Sequence, residues 1–175
     1  MINVGWLIWL RTPGKLIVIP LPANLHVFEH HSRVETTLEA MMAFHEGPQA
    51  LARLTPPPPL MFMQVLRDDR TSITDGELEF RLWFGPVPVR WLARHEPGPT
   101  ENSFADRMIA GPMAYWLHQH IFTTVDGGVE LTDRITLAHK PGWQGWLTRL
   151  VFDGLPLRLL FVYRHFRTRR TLKEL

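Results

Sequence analysis

The chain has 175 residues, 45% of them apolar and 21% charged, with no cysteine. That is one domain's worth of chain with a buried core, and it excludes a disordered tail, a coiled coil, disulfides and cysteine-ligated metal or iron–sulfur centres. The net charge of +2 is uneven, because residues 1–140 carry 12 basic and 15 acidic side chains and residues 141–175 carry 7 and 2. The basic surplus is confined to one terminal segment and not spread with aromatics over a face, so nucleic acid is not an expected partner.

The first 25 residues hold two apolar runs, Gly5-Trp6-Leu7-Ile8-Trp9-Leu10 and Leu16-Ile17-Val18-Ile19-Pro20, separated by Arg11, Pro13, Gly14 and Lys15. Neither approaches the roughly 20 continuous apolar residues of a spanning helix. Nor do they follow the order of a secretion signal, which places a positive region first and a small-residue cleavage site last. Residues 1–25 are therefore read as an N-terminal extension, either an extra strand or hairpin or the product of a start assigned too far upstream. A cytoplasmic location is expected, with membrane contact not predicted.

From residue 26 the elements follow quickly. Residues 26–34 alternate as a strand. Thr37 is placed to cap a helix over 37–45, with Leu38, Met41, Met42 and His45 at helical spacing. Gly47-Pro48 ends it and opens a second short helix, 48–53. Thr55-Pro56-Pro57-Pro58-Pro59 reads as a stiff crossover. Six antiparallel strands are then predicted at 61–67, 77–84, 89–95, 102–110, 113–125 and 129–139, punctuated by Asp75-Gly76, Gly85-Pro86, Gly98-Pro99, Gly111-Pro112 and Asp126-Gly127-Gly128. A helix starts near Trp143, is broken by Gly154 and Pro156, and resumes over 157–172. Leu159, Val162, Tyr163 and Phe166 are expected on its buried face, with Arg158, Arg164, Arg167 and Arg169 elsewhere, and the run Arg164, His165, Arg167, Arg169 and Arg170 reads as a solvated helix end.

A strand, two short helices, six antiparallel strands and a long helix close most simply as a curved sheet wrapped around that helix. Several motifs agree. They are Phe44-His45-Glu46-Gly47-Pro48 with Leu54-Thr55-Pro56-Pro57, Gly85-Pro86-Val87-Pro88-Val89-Arg90-Trp91, and Phe104-Ala105-Asp106 with Gly111-Pro112. Further on come Trp116-Leu117-His118-Gln119-His120-Ile121-Phe122, Leu131-Thr132-Asp133 and Phe161-Val162-Tyr163-Arg164-His165. In order and spacing, residues 26–172 resemble the START-like (SRPBCC) superfamily, which includes polyketide cyclase/dehydrase-type proteins. The similarity is strongest to a bacterial subgroup found alone or fused ahead of a nucleotide-sugar-epimerase-like domain. The resemblance implies an α+β helix-grip fold for residues 26–175 and a small apolar ligand, a lipid, polyketide or isoprenoid, held between sheet and helix. It implies no cofactor and no single reaction.

Alternation puts Trp116, His118, His120 and Phe122 on one face of their strand. In the next strand Asp133 shares a face with Val129, Leu131, Ile135 and Leu137, while Glu130, Thr132, Arg134 and Thr136 form the wet side. A turn at residues 126–128 sets His120 opposite Asp133, or His118 if the register shifts by two. The favoured reading of this inward His–Asp group is a buried pair that satisfies itself. The alternative is a functional site in which His118, His120 and Asp133 grip a polar ligand group or carry acid–base catalysis. A metal held by these residues and His95 is a further alternative, but no metal is expected. Trp91, His95, Asp106, Trp116, Phe122, Tyr163 and Arg164 complete the expected ligand-binding set, with the Tyr163 hydroxyl at the pocket. Trp143 and Trp146 are expected near its mouth.

The leading expectation is thus a binder of a small hydrophobic or amphipathic ligand. A cyclase/dehydratase-type enzyme using a His–Asp pair is one alternative. A protein-interaction module with a vestigial pocket is the other, dimerising or meeting a partner through the N-terminal segment or the basic last helix.

Overall fold

The computed structural model describes residues 7–12 and 15–173, with side chains from residue 21 onward. Trp6, and the side chain of Trp9, lie outside the described residues. Strands β1 (Leu7–Thr12) and β2 (Lys15–Pro20) pair antiparallel as a two-stranded sheet of their own. Strand β3 (His26–Val34) leads into helix α1 (Leu38–Glu46) and the short α2 (Ala50–Arg53). Six strands follow: β4 (Phe62–Asp68), β5 (Gly76–Phe84), β6 (Val87–Pro97), β7 (Ser103–Ala110), β8 (Tyr115–Val125) and β9 (Gly128–Ala138). The chain closes with α3 (Gly142–Phe152) and α4 (Gly154–Lys173).

The large sheet has seven strands in the order β3-β9-β8-β7-β6-β5-β4, every pair antiparallel. Consecutive strands from β4 to β9 are neighbours joined by short turns, and β3 adds at the far edge beside β9. Register shifts between Val65 and Arg67 and between Leu92 and Ala93 mark bulges, which bend a strand and strengthen its twist. The sheet curves around the terminal helix in the helix-grip arrangement.

Local signals explain the helix ends. The Thr37 hydroxyl accepts from the Ala40 amide at 3.2 Å, capping α1. Asp153 is extended (φ −144°, ψ 161°), and Gly154 follows with φ +52°, a left-handed conformation that glycine adopts without steric penalty. Pro156 then falls in the first turn of α4, where its missing N–H costs no helical hydrogen bond. Gly145 has a different reason: a Cβ there would overlap the Lys140 carbonyl oxygen.

The buried stripe of α4 is Leu157, Phe161, His165, Thr168 and Leu172. This corrects the expected face. Leu159, Val162 and Phe166 are exposed, at 58%, 43% and 49%, while His165 is 1% exposed. An apolar stripe drawn through Leu159 and Phe166 treats histidine and threonine as wet. In the fold both are buried because both are hydrogen-bonded. Thr132 departs from expectation in the same way: on the outer face of β9 it is buried beneath His31, whose Nδ1 lies 2.9 Å from its hydroxyl.

Two apolar clusters fill the concave side. One gathers Phe80, Trp91, Trp116, Ile135, Phe152 and Phe161, and the other Val34, Met41, Phe44, Phe104, Phe122 and Leu131. Among the described residues, no helix is long and apolar enough to cross a membrane.

Candidate functional site

Between the two clusters lies a polar layer built by strand register. His95 on β6 faces Asp106 on β7, which faces His118 on β8. One row along, Phe104 faces His120, His120 faces Asp133 on β9, and Asp133 faces His30 on β3. Residues directly opposite in a sheet share a face, so all seven point to the concave side. His118 packs edge-on against Phe161 at 5.2 Å, and His120 stacks on Phe104 at 4.3 Å.

Asp133 is the hub. Its Oδ1 accepts from His118 Nε2 at 2.8 Å, and its Oδ2 accepts from His165 Nε2 at 2.8 Å. Ser32 Oγ, 2.6 Å from His165 Nδ1, closes the far end of this chain of bonds. His120 Nδ1 is 2.7 Å from Asp133 Oδ1 but poorly aimed for a hydrogen bond, and it has no other partner. On the cavity side Asp106 Oδ2 lies 3.3 Å from His118 Nδ1 and 3.6 Å from His120 Nε2.

The electrostatics follow from this packing. Burial alone would raise the pKa of Asp133, but His120 and His118 overcome it and hold the carboxyl well below its ordinary range. Asp106 is treated the same way: burial pushes up, and His118 and His120 pull further down. Burial disfavours a charge on His118, yet Asp106 and Asp133 together raise its pKa. His45, which donates from Nδ1 to the Met41 carbonyl at 2.9 Å, has no carboxylate in contact, and burial lowers it to about 3.

A cavity of about 130 Å³ opens beside this layer. Trp91, Trp116, Phe80 and Phe152 form its apolar wall; Leu51, Leu54 and Pro56 close one side; Leu160, Phe161 and Arg164 come from α4. Asp106, His118, His120, His45, His95 and Arg70 make its polar end. Of the residues expected from sequence, Trp91, His95, Asp106, Trp116, His118, His120 and Arg164 line the cavity. Three do not. Phe122 packs in the second apolar cluster, and Asp133 sits behind the two histidines. Tyr163 lines a separate groove with Pro56, Pro57, Pro58, Met63 and Arg167, because the helix is turned away from the expected face. Trp143 and Trp146 are exposed at 70% and 62% and are absent from the cavity wall. The Arg164 guanidinium lies over the Phe161 ring at 5.2 Å.

His165, Ser32, His45 and Arg70 were missed as site residues. For His165 a signal existed: Leu157, Phe161, His165, Thr168 and Leu172 recur at steps of four, four, three and four, a helical stripe once polar members are allowed. Ser32 and Arg70 carry no such pattern, since only the pairing of distant strands brings them in.

No protein-family model and no curated protein matches the chain. Solved structures do. A nucleoside-diphosphate sugar epimerase from Corynebacterium glutamicum superposes with a TM-score of 0.62 and 26% identity, over 83% of this chain and 29% of that one. The chain thus spans less than a third of that relative's length. Protein Ms6760 from Mycobacterium smegmatis gives 0.60 and 15% identity, over 85% and 91% of the two chains. A norcoclaurine synthase from Thalictrum, a point mutant in complex with a transition-state analogue, gives 0.60 and 12% identity, over 88% and 98%. At such identities the last two show the fold alone, and the architecture they share with this chain is the helix-grip fold.

Proposed function

We propose that the chain binds a compact organic ligand of about one ring in size. The apolar part would rest on Trp91, Trp116 and Phe152, and an oxygen or nitrogen would reach Asp106, His118 and His120. The observation that carries this reading is the cavity itself. Protein interiors are close-packed, with few voids larger than a water molecule, and this one is lined by aromatic rings at one end and ionisable groups at the other. Its volume of about 130 Å³ is near that of an engineered cavity that accepts benzene. That favours a single-ring compound over a long-chain lipid or a multi-ring polyketide. Membership of the START-like superfamily, in the subgroup associated with epimerase-like domains, is part of the same proposal. It is supported by the ordered motifs and by the 26% identity to the longer epimerase chain.

Native mass spectrometry with organic extraction tests the reading. A discrete adduct of single-ring mass, lost when Trp116→Ala or Trp91→Ala opens the apolar wall, is the expected result. An empty protein that also fails to take up any member of a single-ring fragment mixture by ligand-observed NMR would overturn it.

A second reading, acid–base chemistry of cyclase or dehydratase type, is favoured by one observation: His118 and His120 face the cavity with an ionised carboxylate behind them. It expects His120→Ala to retain the extracted ligand yet abolish its conversion. Unchanged conversion would defeat it.

A further inference from the structure

Asp106, His118 and His120 each bring a possible ligand atom within 4.8 Å of the others, with Asp106 Oδ2 facing His118 Nδ1 and His120 Nε2. Their chemistry there is unusual. A carboxylate only accepts hydrogen bonds, so the bond from His118 Nε2 to Asp133 places that ring's N–H on Nε2. When the ring is neutral, its lone pair falls on Nδ1, the atom that faces Asp106. His120 approaches the same two carboxylates with its nitrogens exchanged. Its Nδ1 is 2.7 Å from Asp133, without the alignment of a hydrogen bond, and its Nε2 lies 3.6 Å from Asp106. With both rings neutral, three atoms able to ligate a cation meet at one point, and either a shared proton or a metal ion belongs in their midst.

The spacing chooses between a proton and a metal ion. A proton bridging a charged pair draws its two heavy atoms to about 2.7–2.9 Å, and it can serve one pair only. The observed separations are 3.3 Å and 3.6 Å, on both sides of Asp106 at once. An ion bound tetrahedrally at about 2.1 Å separates its ligands by about 3.4 Å. The surroundings are also those of a metal centre. Metal-bound histidines typically donate their second N–H to a carboxylate, which sets tautomer and ring orientation, and Asp133 stands behind both rings, hydrogen-bonded to His118 Nε2 and 2.7 Å from His120 Nδ1. It is anchored in turn by His165 and Ser32. Phe161 and Phe104 hold the two rings from either side. All three donors line the cavity, and the Asp106 side chain is 21% exposed, which leaves a route of entry. His45 and His95 are tied through Nδ1 to backbone carbonyls and fall outside the three-donor cluster.

We propose that Asp106, His118 and His120 bind a divalent transition-metal ion of the zinc class, with its remaining coordination positions open to the cavity. Two imidazoles and one carboxylate suit zinc, cobalt(II) and iron(II) and are a poor set for calcium or magnesium. The proposal does not depend on which organic ligand the cavity accepts.

The test is a titration of the full chain, freed of metal by a chelator, with Co²⁺ followed by Zn²⁺ and with no organic ligand present. The expected result is one equivalent of Co²⁺ with the intense visible bands of a tetrahedral site, displaced by Zn²⁺. Asp106→Asn and His120→Ala are each expected to weaken binding by about tenfold or more, while His31→Ala, on the outer face, leaves it unchanged. Circular dichroism checks that each variant is folded. If neither is, X-ray absorption of the Co²⁺-loaded wild-type chain counts the ligands, and two imidazoles with carboxylate oxygen support the site. The proposal is overturned if the wild-type chain takes up no Co²⁺, if binding survives undiminished in folded Asp106→Asn and His120→Ala, or if the shell contains no imidazole. Because the probe is the bare metal, failure here leaves the reading of the cavity standing, and an empty cavity does not touch the metal titration.

Discussion

Asp133 takes hydrogen bonds from two elements that meet only in the folded chain, His118 on β8 and His165 on α4. Removing one member of a buried charged network leaves the others desolvated and unpaired, at a cost of about 3–5 kcal/mol. Asp133→Ala is expected to lose that much in urea denaturation, and Ser32→Ala, which removes one terminal hydrogen bond, about 1 kcal/mol. His45 makes the opposite case. Its ring is buried and neutral with a pKa lowered to about 3 by burial, and His120, Asp133 and Arg164 are the charged or titratable groups that act on it. The unfolded chain takes up this proton near pH 6.5 and the folded chain does not until near pH 3. Between those values the unfolded state binds more protons, so stability falls as the solution is acidified. His45→Leu should flatten the stability profile between pH 6.5 and 4 by a few kcal/mol, on the order of 1.4 per unit. An unchanged acid slope in equilibrium unfolding would show that His45 is not the group responsible.

At the scale of the element, α4 presents its apolar residues on two sides. Phe161 is fully buried among Phe28, His118 and the first apolar cluster, so Phe161→Ala is expected to cost about 3–5 kcal/mol. Leu159 and Phe166, both largely exposed, should change stability by no more than about 0.5 kcal/mol when truncated to alanine. The reverse ranking in a urea series would restore the face first read from the sequence. Helix α3 supplies a second check. Gly145→Ala should destabilise despite alanine's higher helix propensity, because the Lys140 carbonyl occupies the space a methyl group needs.

Over the whole molecule, a polar layer of histidines and carboxylates separates two apolar clusters, and the cavity sits where layer, sheet and α4 meet. Among the described residues, the pair of β1 and β2 shares no ladder with the seven-stranded sheet. Deleting residues 1–25 is therefore expected to leave the unfolding free energy of the remaining chain, measured in urea, within about 0.5 kcal/mol of the parent, and a collapse of cooperative unfolding would show that the hairpin is part of the core. A ligand or ion bound by the native state alone stabilises by mass action, about 2.7 kcal/mol at a hundredfold excess over Kd. Zn²⁺ should therefore raise the melting temperature in a way that a chelator reverses.

Much of this was legible in the residues themselves. Alternation along 116–122 and 129–137 put Trp116, His118, His120, Asp133 and Ile135 on buried faces, and Asp126-Gly127-Gly128 narrowed the partner of Asp133 to His120 or His118, of which the ladder takes His120. Thr37, Gly47 and Gly154 marked helix ends because capping and left-handed backbone are local properties of single residues. What the tertiary structure alone decided was which polar groups could be buried. His165 reads as wet because burial of a polar side chain depends on a partner, and its partners, Ser32 and Asp133, lie 133 and 32 residues away. That dependence turned α4, sent Tyr163 to another groove and brought three nitrogen and oxygen donors to one point beside the cavity.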